Sequence, residues 1–123
     1  MTLHKLTVNG LEKAIRHNAV VMYYASWCGH CRNAAPIYKE IATQIASMSE
    51  RAPCLITKFN MDKYSDVVQQ RGIGKREFGK GIHEDVKGFP TFICYKANGD
   101  RSIYTGPRDV ETMKKTILAY YSA

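Results

Sequence analysis

The chain has 123 residues, 45% of them apolar and 24% charged, with a formal net charge of +7 at pH 7. That length is one domain, expected over residues 1–123 and large enough to bury its own core without disulfide staples. No stretch approaches the ~18 apolar residues of a membrane-spanning helix. The lysines and arginines are scattered apart from Lys75, Arg76, Lys80 and Lys87, so nucleic-acid binding is not expected and the excess charge favours acidic partners.

In chain order, Lys5 to Val8 reads as a short strand and Leu11 to Arg16 as a helix capped by Asn9. Ala19 to Ala25 is apolar, branched and aromatic, so Val20 to Ala25 reads as a buried strand. Trp27-Cys28-Gly29-His30-Cys31 follows directly. Cys31 to Ser47 reads as a helix with Ile37, Ile41 and Ile45 on one face, and Pro36 should kink it by removing an internal hydrogen bond. Leu55 to Phe59 reads as a third strand and Tyr64 to Gln70 as a third helix, ended by Gly72. Gly72 to Gly88 breaks the pattern, with glycine at 72, 74, 79, 81 and 88 and only Ile73, Phe78, Ile82 and Val86 to bury. It reads as a structureless loop near the upper length limit, either a substrate-facing flap or a tolerated surface loop. Thr91 to Lys96 and Arg101 to Thr105 form a hairpin, with positive φ expected at both Asn98 and Gly99. Val110 to Tyr120 reads as an amphipathic helix capped by Asp109. The order is βαβ then ββα, an α/β arrangement with helices on both faces of a mixed sheet.

A strand, a Cys-x-x-Cys and a helix in succession form the context in which two cysteines point to thiol redox chemistry. Together with Pro36, Gly88-Phe89-Pro90-Thr91 and Tyr104-Thr105-Gly106-Pro107-Arg108, the Trp27–Cys31 run resembles the catalytic domains of protein disulfide isomerases, in the thioredoxin-like family. The resemblance covers nearly the whole chain. It implies a thioredoxin fold with a Gly-rich insertion at about 72–88 before a cis-proline loop. It also implies a thiol–disulfide oxidoreductase acting on protein cysteines, leaning to disulfide formation and isomerisation. Cysteine-containing protein substrates and a thiol or disulfide electron partner are expected. No cofactor beyond the Cys28–Cys31 disulfide, no metal and a monomeric state are expected as well.

Cys28 is the expected nucleophile. A helix N-terminus and the His30 imidazolium should both lower its pKa below the free value of about 8.5. An imidazolium favours the reduced form and makes the disulfide a better oxidant; potentials of the reducing and isomerising classes differ by about 90 mV. Cys31 is the expected resolving thiol, with Gly29 keeping the turn open and Trp27 covering the site. A static disulfide or half of a zinc site are the alternatives, the latter needing two more ligands. By resemblance, Pro90 is cis against the disulfide, and Gly88-Phe89 would pair with an extended substrate segment. Arg108 matches an arginine that approaches the second cysteine and lowers its pKa. Met22 stands where the family usually has a buried Asp or Glu that handles the proton of the second cysteine, and Lys58 matches the partner of that acid. Slower resolution of mixed disulfides is therefore expected. Cys54 and Cys94 read as buried and inert, a disulfide between them being left open because geometry decides.

Two rivals differ in class. One is a thioredoxin-fold adaptor that binds through the 72–88 loop; the other is a glutathione-linked reductase, disfavoured by the absence of a Cys-Pro start to the motif. The chain shows no leader-like h-region at its start and no retention signal at its end. A cytosol-type or viral-assembly compartment fits those ends, or the secretory pathway if a leader was trimmed.

Overall fold

The computed structural model describes residues 3–48 and 52–122. In chain order it contains β1 (Leu3–Lys5), α1 (Val8–Ala14), β2 (Ala19–Tyr24), α2 (Gly29–Ser47), β3 (Leu55–Asn60) and α3 (Met61–Arg71). Two single-turn helices follow, α4 (Lys75–Phe78) and α5 (Ile82–Asp85), then β4 (Thr91–Tyr95), β5 (Arg101–Tyr104) and α6 (Val110–Ser122). The sheet order is β1-β3-β2-β4-β5. β1 and β2 run parallel to β3, and β4 and β5 complete the sheet antiparallel.

β2 lies at the centre and is buried on both faces, which is why it reads as a continuous apolar run and not as an alternation. Its side chains still divide by parity. Val20 and Met22 join Tyr38, Ile41 and Ile45 of α2 and Met113 and Ile117 of α6 in one core. Val21 and Tyr23 join Leu11, Phe59, Val68 and Ile93 in the other. Tyr38 fixes α2 to the sheet: its buried hydroxyl donates to the Thr57 carbonyl at 2.6 Å and the Val20 carbonyl at 3.2 Å. α2 runs unbroken through Pro36.

The structure departs from the local reading in several places. β1 spans Leu3–Lys5, because Thr7 leaves the sheet to cap α1, its hydroxyl accepting from Gly10 N at 3.0 Å. Asn9 lies inside the first turn. α3 begins at Met61, capped by Asn60, whose side chain accepts from Lys63 N. In the β4–β5 turn only Gly99 takes positive φ, at 96°. Asn98 uses its side-chain oxygen to accept from Asp100 N, and Lys96 N donates to the Asp100 carbonyl to close the loop.

The 72–88 segment is not structureless. Gly72 ends α3 in the left-handed conformation, φ 60°. Ile73 and Ile82 are buried, and Ile82 N donates to the Ile73 carbonyl at 2.8 Å. Gly74, φ 94°, lies so close that a Cβ there would meet Ile82 Cδ1 at 2.9 Å. Phe78 stacks on Tyr95, ring centroids 5.4 Å apart. The Asp85 carboxylate, buried in the fold, accepts two hydrogen bonds from Arg101 of β5 at 2.8 and 3.1 Å. Glu77 pairs with Arg16 at 2.9 Å. The segment is thus a packed arm that delivers the chain to Gly88-Phe89-Pro90.

Candidate active site

Cys28 ends the turn after β2 with extended backbone (φ −81°, ψ 115°) and is itself the N-cap of α2. Its sulfur accepts from Cys31 N at 3.2 Å and lies 3.5 Å from the Phe89 carbonyl, to which a thiol proton can donate. α2 therefore begins at Gly29, two residues earlier than the sequence reading. Both cysteines are free thiols and each is only 5% exposed.

The two sulfurs are driven apart electronically. Burial raises the Cys28 pKa, but the Cys31 thiol, the N–H groups of Cys31 and His30, and the Arg108 charge outweigh it, leaving Cys28 below the ordinary thiol value. Burial pushes Cys31 up to about 11, reinforced by its hydrogen bond to Cys28 and by the Cys28 charge, with the Ala25 N–H and Arg108 opposing. His30 contributes its backbone N–H to the lowering of Cys28, and its side chain is exposed. The Ala25 N–H beside Cys31 and the approach of the Phe89 carbonyl to Cys28 are what the sequence did not mark.

The remaining expected site residues fall around this pair. The Phe89-Pro90 bond is cis, and Pro90 is buried. Gly88 is exposed, with its carbonyl accepting from the Thr91 hydroxyl at 2.6 Å. A side chain at Gly29 or Gly88 would meet nothing within 4 Å, so packing does not require glycine at either position. Trp27 is 64% exposed and packs edge-on against Phe89, centroids 5.9 Å apart. Arg108 is exposed, spans 3.4 Å to the Pro90 carbonyl and lies over the Phe92 ring.

Met22 is 3% exposed and sits opposite Lys58 of β3 in the strand register. Lys58 Nζ stands 5.6 Å from the Tyr24 ring centroid. Cys54 and Cys94 lie at the far end of β2, where Val20 pairs with both Ile56 and Cys94. β2 separates them, placing their Cα atoms roughly two strand spacings, or about 9–10 Å, apart. A disulfide reaches only about 7 Å between Cα atoms. Val20 to Ala25 spans about 17 Å of strand, which also separates this pair from Cys28 and Cys31 and rules out one four-cysteine zinc site.

Residues 2–76 match the Thioredoxin family. The chain is 31% identical over 115 residues to a protein disulfide-isomerase of Schizosaccharomyces pombe, covering 90% of this chain and 28% of that protein. It is 33% identical over 100 residues to a protein disulfide-isomerase of Aspergillus niger, covering 80% and 24%. It thus spans about a quarter of the length of these curated relatives. The crystal structure of the J-Trx1 fragment of ERdj5 superposes with a TM-score of 0.76 at 16% identity, covering 99% of this chain and 53% of that one. The order of strands and helices, the sheet topology and the sequence match agree: this chain belongs to the thioredoxin family.

Proposed function

We propose that the chain is a thiol–disulfide exchange domain acting on cysteine-containing protein substrates, with a bias towards disulfide formation and isomerisation. Cys28 attacks a substrate disulfide, the mixed disulfide forms on Cys28, and Cys31 resolves it; a thiol or disulfide partner resets the pair. No cofactor beyond the two sulfurs takes part. The observation that carries the reading is the Cys28 sulfur capping α2. It is held as an acceptor by Cys31 N at 3.2 Å and lowered in pKa, beside a Cys31 thiol held up at about 11. That asymmetry gives one attacking and one resolving sulfur. Phe89, its carbonyl 3.5 Å from Cys28, would pair with the backbone of an extended substrate.

Redox titration in glutathione buffers tests this, with fluorescence of Trp27, the sole tryptophan, as the readout. A midpoint near about −180 mV fits formation and isomerisation, and one near about −270 mV fits a reductase. No transition, with partner binding unchanged in a Cys28→Ser/Cys31→Ser chain, would refute the enzyme reading in favour of an adaptor.

A further inference from the structure

Cys31 must lose its proton before it can attack, and its surroundings decide where that proton goes. A cavity of about 180 Å³ opens beside it, lined chiefly by Met22, Tyr24, Ser26, Cys31, Arg32 and Lys58. The lining includes no carboxylate and no imidazole. Its two charged residues are both cations, and neither forms an ion pair among the described residues. The volume is several times the ~30 Å³ of a water molecule, enough for a small carboxylate. Lys58 is half-buried and Arg32 exposed, so two cations without ion pairs among the described residues face a space open to solvent and favour an anion there. Met22 and Tyr24 supply much of the apolar part of the lining.

We propose that this cavity is a carboxylate-binding site in which Lys58 and Arg32 hold a small carboxylate against the Cys31 thiol, where it serves as base for the resolving step. The inference rests on the exchange reading above. The carboxylate takes the Cys31 proton. The freed sulfur pair forms a bond to Cys28 Sγ, the bond from Cys28 to the substrate sulfur breaks, and the substrate leaves as a thiolate that is protonated from solvent. The carboxylic acid then returns its proton to water. The dithiol is oxidised by two electrons and the substrate disulfide is reduced by two, so no further oxidant enters. The carboxylate comes either from solution or from an Asp or Glu side chain of the bound protein substrate.

The test uses the full chain and ¹³C-formate as probe. Formate binding is first followed by NMR on the Cys28→Ser chain, where no exchange can occur. Saturable binding, weakened at least tenfold by Lys58→Met and by Arg32→Gln, supports the site; circular dichroism confirms that each variant is folded. Resolution of a Cys28–peptide mixed disulfide is then timed at fixed pH and ionic strength. Formate should accelerate it about tenfold and saturate at the concentration where binding saturates, below the ~10²-fold of a built-in base; chloride should not. A peptide with an acidic residue beside its cysteine should resolve faster without formate and gain little from it if the substrate is the source. Equal acceleration of acidic and neutral peptides by formate would assign the solution source. No binding, binding indifferent to both variants, or acceleration that stays linear and unchanged in Lys58→Met would overturn the proposal. Formate binding lost in Lys58→Met, with no exchange detected, would support the site and refute the exchange reading alone.

Discussion

Replacing Met22 by glutamate builds a base into the wall of the Cys31 cavity, and the size of its effect can be worked from the environment of that thiol. Cys31 is held up to about 11 first by burial and then by its hydrogen bond to Cys28 and the Cys28 charge. In a mixed disulfide Cys28 carries no charge, so burial remains, opposed by the Ala25 N–H and Arg108, and the two raising causes that come from Cys28 fall away. The working value then lies between the ordinary 9.0 and about 11. At pH 7 the thiolate fraction is between about 10⁻² (10^(7−9)) and about 10⁻⁴ (10^(7−11)). In carboxylate-free buffer the resolution rate of the natural chain should therefore rise about tenfold per pH unit from pH 6 to about pH 8, and keep rising through pH 9. A positioned general base contributes about 10²–10⁴-fold, so Met22→Glu should speed resolution by about 10²-fold at pH 7 and flatten the profile. The same change places a carboxylate at a position only 3% exposed. Lys58 opposite offsets part of that, leaving a loss of about 1–3 kcal/mol in urea unfolding. The assay is stopped-flow release of a dye-labelled peptide from Cys28. A flat profile for the natural chain between pH 6 and 9, or a folded Met22→Glu chain that resolves no faster, would show that deprotonation of Cys31 does not limit the step.

Other expectations follow from the same geometry. At pH 7 iodoacetamide should modify Cys28 well before Cys31, and Arg108→Gln should move the Cys28 profile to higher pH, because the guanidinium charge lowers that thiol; mass spectrometry of the alkylated peptides reads both. Arg101→Met should cost about 2–3 kcal/mol and about 10 °C of Tm. That is below the ~3–5 kcal/mol of a fully buried broken pair, because the Arg101 side chain is 21% exposed and Lys80 still lies 3.7 Å from Asp85. The double variant Asp85→Leu/Arg101→Met should recover most of that loss; a double variant less stable than the single would contradict the argument. Burial pushes Cys54 and Cys94 up to about 12 from 9.0. The unfolded chain releases these protons from about pH 9 while the folded chain keeps them, so their contribution is complete below pH 9 and lost as pH rises towards 12. The slope is at most about 1.4 kcal/mol per unit per cysteine. Urea unfolding at pH 9 and 10 should show it, and a Cys54→Ala/Cys94→Ala chain with the same slope would refute it.

The fold was legible where side-chain pattern and backbone agree. β2 announces itself by an uninterrupted apolar run, α2 by Ile37, Ile41 and Ile45, and the end of α3 by Gly72. α4 and α5 were not, because four residues are barely one turn and show no period. Their order comes from contacts distant in sequence, such as Phe78 on Tyr95 and Asp85 on Arg101. Thr7 and Asn9 are both competent caps, and only tertiary placement chooses Thr7. At the site, Cys28, Cys31 and the Gly88-Phe89-Pro90 run stand out as side-chain signals. The Ala25 N–H and the Phe89 carbonyl are main-chain groups common to every residue type, so no motif marks them. The placing of Met22 opposite Lys58 depends on strand register, and a shift of one residue would turn either side chain to the other face.

Cys28 is at once the reacting sulfur and the cap of α2, so helix stability and electron affinity share one atom. Bonding that sulfur to a substrate draws it from the Cys31 N–H it satisfies, and the first turn of α2 loses an acceptor until the pair closes. Folding and reduction are thereby linked equilibria. Any agent that steadies the first turn of α2 in the dithiol form raises the oxidising power of the disulfide by the same free energy, and any agent that frays it lowers that power. Unfolding curves of the dithiol and disulfide forms, subtracted, measure how far folding shifts the reduction potential from that of the unfolded chain.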